Sequence, residues 1–129
     1  MNDPKPAAGY IRVAPMPQSS ALVSIEQQRH AIERCAEQQG FAVIEWYLDS
    51  GVRGLTDRQP DLQCLINDSC SQGRPFAAVF TATPSRLSRD LTQYHACRMR
   101  LERCGIQLFS TKSLEGFKPD DPRRPGNQE

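Results

Sequence analysis

Short apolar runs alternate with amphipathic stretches along most of this chain. GYIRV at 9–13 is β-branched and aromatic and predicts a short strand. APMPQSSALV at 14–23 holds two prolines and two serines and predicts a loop. SIEQ at 24–27 fits a capping box, with Ser24 as N-cap and Gln27 at N3 of a helix. Ile25, Gln28, Ile32, Cys35 and Ala36 share one face of that helix, and Gly40 closes it. FAVIEWYL at 41–48 is a second strand, and the glycine-bearing, charged DSGVRGLTDRQ at 49–59 is a long loop. A second helix runs from Pro60 to Gln72, with Leu62, Leu65, Ile66 and Cys70 inward and Gly73 at its end. FAAVFTAT at 76–83 has the continuous apolar character of a buried central strand. PSRLSRD at 84–90 predicts a charged turn. A third helix follows from Leu91 to Cys104, striped by Leu91, Tyr94, Cys97, Leu101 and Cys104 and capped by Gly105. IQLFS at 106–110 is the fourth strand.

Strand and helix in strict alternation predict an α/β fold: a mostly parallel four-stranded sheet with helices on both faces. Residues 1–8 and 117–129 are proline-rich or polar, without apolar periodicity. Both are expected to be disordered tails around one domain at 9–116.

Composition adds exclusions. The net charge of +1 gives no bulk attraction for nucleic acid, so a basic patch must come from local arrangement. Of 16 basic residues only Lys5, Lys112 and Lys118 are lysines, so the positive charge is almost all guanidinium, suited to bidentate phosphate or carboxylate contacts. The five cysteines are odd in number and form no C-x-x-C pair. Buried free thiols are expected, with no zinc site and no metal. His30 and His95 have no partner at metal-ligand spacing. No apolar run approaches the roughly 18 residues of a membrane span, and the N-terminus lacks a signal-peptide core. A cytoplasmic location without membrane contact is expected. No G-x-x-x-x-G-K-S/T or G-x-G-x-x-G is present, which disfavours a nucleotide-binding module and leaves no cofactor implied.

Ligands of such folds sit beyond the C-terminal ends of the strands. Arg12 ends the first predicted strand, Arg53 and Arg58 follow the second, and Arg86 and Arg89 follow the third. Arg12, Arg58, Arg86 and Arg89 could converge at that edge and take phosphate. The competing reading is of solvated loop arginines, each paired with Asp49, Asp57 or Asp90.

Five segments carry a resemblance: YIRV (10–13), SIEQQR (24–29), YLDSGVRGLTDR (47–58), SRLSRD (85–90) and GIQL (105–108). In order and spacing they are similar to the catalytic domain of the serine recombinases, the resolvase/invertase family. That family's pattern runs Y-x-R-V-S, S-x-x-x-Q-R, D-x-x-x-S/A-G-x-x-x-x-R, D-R-L-x-R, G-V-x-L. The resemblance implies site-specific DNA recombination, without a metal, through a phosphoserine link to DNA, as in mobile elements. Arg12, Arg58, Arg86 and Arg89 match the family's phosphate-binding arginines, and Gln18 and Asp49 fall on its active-site positions.

Three positions depart from the pattern. Ala14 stands where the family has its serine nucleophile, Pro15 replaces the hydroxyl residue after it, and Ser85 takes the place of the acid in D-R-L-x-R. Alanine has no nucleophilic atom, so the expectation is a catalytically degenerate domain that keeps its arginine cluster. Ser19 and Ser20 could reach the site only by a loop rearrangement. The family continues past its G-V-x-L strand into a long helix and a DNA-binding domain. Here a polar segment follows, so tight sequence-specific DNA binding by this chain is not expected. The alternative is a pseudoenzyme acting as a regulatory or assembly subunit through protein contacts, as a homodimer or with another protein.

Overall fold

A computed structural model describes residues 3–50, 59–71, 73, 76–88 and 90–111. The elements are β1 (Lys5–Val13), α1 (Gln18–Gln38), β2 (Phe41–Ser50), α2 (Pro60–Ser69), β3 (Ala78–Thr81), α3 (Pro84–Leu87), α4 (Leu91–Arg103) and β4 (Gln107–Ser110). The strands form one sheet in the order β2-β1-β3-β4, and every pairing is parallel. The expected parallel α/β fold is therefore the observed one.

Each face of the sheet carries its own core. On one side α1 packs Ile32 and Ala36 against Ala7, Ile11, Val13, Phe41, Ala78 and Phe80. On the other, Leu62, Leu65 and Ile66 of α2 and Tyr94 and Leu101 of α4 cover Ala8, Tyr10, Tyr47 and Val79. Helix ends follow the glycine signals at two places. Gly40 (φ 87°) follows α1, and Gly105 (φ 80°) follows α4. Behind α4 the Gly105 amide donates to the Glu102 carbonyl and the Ile106 amide to that of Leu101, the paired bonds of a Schellman end.

Four expectations need correction. β1 begins at Lys5, so residues 5–8 belong to the sheet and not to a tail. Ala7 and Ala8 are fully buried there, and their weak strand propensity hid a central strand. Second, α1 begins at Gln18 behind Pro17, with the Ala21 amide donating to the Pro17 carbonyl at 2.9 Å. Ser24 lies inside the helix, and its hydroxyl accepts from Gln28 Nε2 one turn on, so it caps nothing. Ala21 and Ile25 pack on the sheet, and that burial carries the helix through the expected loop.

Third, residues 84–87 of the expected turn form one helical turn, α3, with Pro84 in its first turn and Leu87 fully buried. Fourth, the thiols are neither all free nor all buried. Cys70 and Cys104 are joined by a disulfide, and Cys64 is exposed. Among the described residues no helix is long and apolar enough to cross a membrane.

Candidate functional site

The order in which strands are added to the sheet reverses between β1 and β3. From β1 the connection runs out to β2 on one side, then the chain returns to β3 and β4 on the other. The C-terminal ends of β1 and β3 border the crevice where such sheets bind ligands. Arg12 and Val13 end β1, Ala14 follows half-buried, and Arg86 sits in α3 just past β3.

Arg12 and Arg86 hold each other by their backbones. Arg12 Nε donates to the Arg86 carbonyl at 3.0 Å, and Arg86 Nη1 donates to the Arg12 carbonyl at 3.3 Å. From the opposite face of the sheet, Gln28 Nε2 also donates to the Arg12 carbonyl, at 3.1 Å. Arg12 is only 3% exposed, so its charge acts from inside the protein, while Arg86 is half-buried. A low local dielectric enlarges the field of such a charge at the crevice.

Asp49 is also 3% exposed, at the end of β2. Its Oδ1 accepts from the Asp61 amide at 2.9 Å, and its Oδ2 accepts from the Leu62 amide at 3.0 Å and from the Tyr10 hydroxyl at 2.8 Å. The carboxylate therefore satisfies the first turn of α2, where free amides and the helix dipole favour negative charge. Gln59 extends the chain of bonds. Its Nε2 donates to the Tyr10 hydroxyl and to the Leu87 carbonyl, both at 2.9 Å. Burial is the main reason that the Tyr10 phenol is pushed above its ordinary range; the bond to Asp49 adds to this, and the bond from Gln59 opposes it. This buried polar chain ties β1, β2, the start of α2 and α3 into one unit around the crevice.

The family match spans nearly the whole chain. Residues 7–126 match the family described as "Resolvase, N terminal domain". The chain belongs to the resolvase N-terminal domain family. Solved resolvase-type structures agree in fold. The N-terminal catalytic domain of TP901-1 integrase is 29% identical, with a TM-score of 0.73 over 83% of this chain and 78% of that one. The C-terminal catalytic domain of ISC1926 TnpA, an IS607-like serine recombinase, is 21% identical, with a TM-score of 0.68 over 85% of this chain and 72% of that one. A resolvase family site-specific recombinase from Streptococcus pneumoniae is 16% identical, with a TM-score of 0.70 over 92% of this chain and 78% of that one. No curated protein matches the chain.

On this resolvase frame, Arg12 and Arg86 are brought together, and Ala14 lies two residues past Arg12 at the same strand end. Asp49 caps α2. Gln18 opens α1 and is exposed, with Ser19 and Ser20 following it in the first turn. Ser85 is the second residue of α3. Asp90 is spent on the N-cap of α4, where its Oδ1 accepts from the Thr92 amide at 3.0 Å. Arg53, Asp57, Arg58 and Arg89 lie outside the described residues, as does the segment 117–129.

Sequence reasoning gave Gln28, Gln59 and Tyr10 no role at this candidate site, although Tyr10 and Gln28 lie in segments that carry the resemblance. Gln28 left a usable signal, as a polar residue on the apolar stripe of a helix. It is buried, and its Oε1 has no hydrogen-bond partner among the described residues, a costly state that an apolar residue would avoid. Gln59 left none, because its partners lie 28 and 49 residues away.

Proposed function

We propose that this chain is a recombinase catalytic domain that has lost strand cleavage and retains a phosphodiester-binding site. The reciprocal Arg12–Arg86 clasp at the switch point is the observation that carries this reading. It holds the half-buried Arg86 guanidinium beside the crevice where such sheets bind ligands and the buried Arg12 guanidinium beneath it, with Arg58 and Arg89 as the further arginines of the family pattern. Arginine suits a phosphodiester because its planar fork matches two phosphate oxygens. Cleavage in the family pattern needs a hydroxyl at position 14, and Ala14 supplies only a methyl group. Ser85, in place of an acid, removes a second element of that pattern. What remains is anion binding without a nucleophile.

The test is binding of short duplex DNA across a salt series, comparing the native chain with Arg86→Ala/Arg89→Ala and with Arg89→Ala alone. Circular dichroism checks that the variants fold. Native binding that weakens with salt, and is lost in the folded double variant, supports the site. No binding by the native chain at low salt overturns it and moves the search to acidic protein partners. Ala14→Ser tests the lost step. A covalent DNA adduct formed by that variant alone would show the rest of the machinery intact.

A further inference from the structure

We infer that Cys70 and Cys104 form a reversible oxidation site, with Cys70 as the attacking thiol, Cys104 as the resolving one, and a low-molecular-weight disulfide of the glutathione type as oxidant. Cys70 is the C-cap of α2 and Cys104 the C-cap of α4. Their Cα atoms lie 5.3 Å apart, inside the roughly 4.4–6.8 Å that a disulfide spans without moving the backbone. Each helix end is already closed by its own backbone. The Cys70 amide donates to the Ile66 carbonyl, and the Cys104 amide to that of Leu101. Opening the sulfur bridge therefore leaves both caps hydrogen-bonded, so bond and thiols fit one backbone.

Access and a sulfur partner together separate this pair from the other cysteines. Cys70 is exposed and Cys104 half-buried. Cys35 and Cys97 are half-buried, and burial pushes both thiols up, away from the reactive thiolate. Cys64 is exposed but is not bonded to a second sulfur. Arg100 and Arg103 lie in the last turn of α4 beside Cys104, and their charge favours an anionic disulfide reagent.

The step balances as thiol–disulfide exchange. The Cys70 thiolate attacks one sulfur of the reagent, the reagent S–S bond breaks, and one small thiolate leaves. The Cys104 thiolate then attacks the Cys70 sulfur of the mixed disulfide and expels the second small thiolate. The protein loses two electrons, the reagent gains them, and the two protein protons end on the two released thiols. The bond closes a loop with a sequence separation of 34, which contains β3, α3 and α4 and hence Arg86. Oxidation should raise the melting midpoint on the order of 10 °C by restricting the unfolded chain.

The full chain, in a Cys64→Ser background, is equilibrated in glutathione buffers of rising oxidised fraction, quenched, alkylated and weighed. We expect two thiols to vanish together, to return in reducing buffer, and to map to a Cys70–Cys104 peptide. Cys104→Ser in that background should trap one glutathione on Cys70, whereas Cys70→Ser should leave Cys104 unmodified. The melting midpoint should follow the redox ratio in the Cys64→Ser chain and not in Cys70→Ser/Cys104→Ser. A bridge that stays closed or stays open at every ratio overturns the proposal, as does a trapped adduct on Cys104 instead of Cys70. These readouts follow sulfur alone, so they stand or fall apart from the phosphate site.

Discussion

The Tyr10 hydroxyl donates a hydrogen bond to Asp49 and accepts one from Gln59, both inside the protein. Tyr10→Phe leaves a carboxylate short of a donor and an amide short of an acceptor, at a cost of about 1–3 kcal/mol. Denaturant midpoints at neutral pH check this, and an unchanged midpoint would contradict the buried chain. The phenol also sets an alkaline limit. Its folded pKa is raised above the ordinary 10.0, mainly by burial, and that of Tyr47 is raised by burial and then by Asp68. A phenol that is harder to ionise when folded contributes stability below its unfolded value, and that contribution is lost as pH rises past it. Stability should therefore fall from about pH 10 upward, and less steeply in Tyr10→Phe, in unfolding curves taken between about pH 8 and about pH 11. At Gly9 the constraint is space. A Cβ there would clash with the edge of the Trp46 ring, which lies over β1 and under the Arg29 guanidinium at 5.7 Å. Gly9→Ala should cost about 1–3 kcal/mol of stability, and Gly9→Ala/Trp46→Leu should recover part of it in thermal melts. At this scale the sequence showed which residue types could do chemistry but not their partners. Gln28 stood out on its stripe, whereas Tyr10 read as a strand residue and a position of the family pattern, with no partner in view.

Elements were legible where one buried face set a clean period. The apolar run of β3 appears as expected, the stripe of α4 does so from Tyr94 to Cys104 but not at the exposed Leu91, and Gly40 and Gly105 end their helices. Misreadings came where local chemistry and tertiary packing disagreed. The capping-box letters at 24–27 describe the interior of α1, because the sheet buries Ala21 and Ile25 on either side of Ser24. In β2 a register shift against β1 falls between Ala7 and Ala8, whose partners are Val43 and Glu45. The skipped residue, Ile44, is exposed and lets Phe41, Val43 and Trp46 share the α1 face, while Tyr47 turns to the α2 face. No period-2 reading could anticipate that inversion. It also puts Asp49 where the first turn of α2 begins. Asp49→Ala should destabilise the protein by about 2–3 kcal/mol, and Asp49→Asn by less, since it keeps one acceptor. Chemical denaturation ranks the two variants, and equal losses would argue against capping as the role of Asp49.

For the whole molecule, topology decides more than charge does. The net charge of +1 offers little long-range steering toward DNA. On the proposed reading, binding rests on the arginines of the family pattern, of which Arg12 is nearly inaccessible. With about three phosphates neutralised, the plot of log affinity against log salt should have a slope of about −3. A slope near −8 would place the contact on some other, wider surface. The order β2-β1-β3-β4 brings the ends of β1 and β3 together, and alternation of strand and helix had already implied such a crevice. What alternation could not show is that Arg12 lies beneath that crevice and not on it, because a strand end reads as surface until the elements around it are in place.

The clasp between Arg12 and Arg86 also bears on the order in which an inherited enzyme can decay. Ala14 takes no part in the hydrogen bonds of that clasp, so the side chain at position 14 can change while both guanidinium groups keep their carbonyl partners. Each arginine supports the other's main chain, so loss of either loosens the junction of β1 and α3. On the reading proposed above, drift would erase the reactive group early and the charges only late, and the arginines by themselves would not record that cutting had stopped.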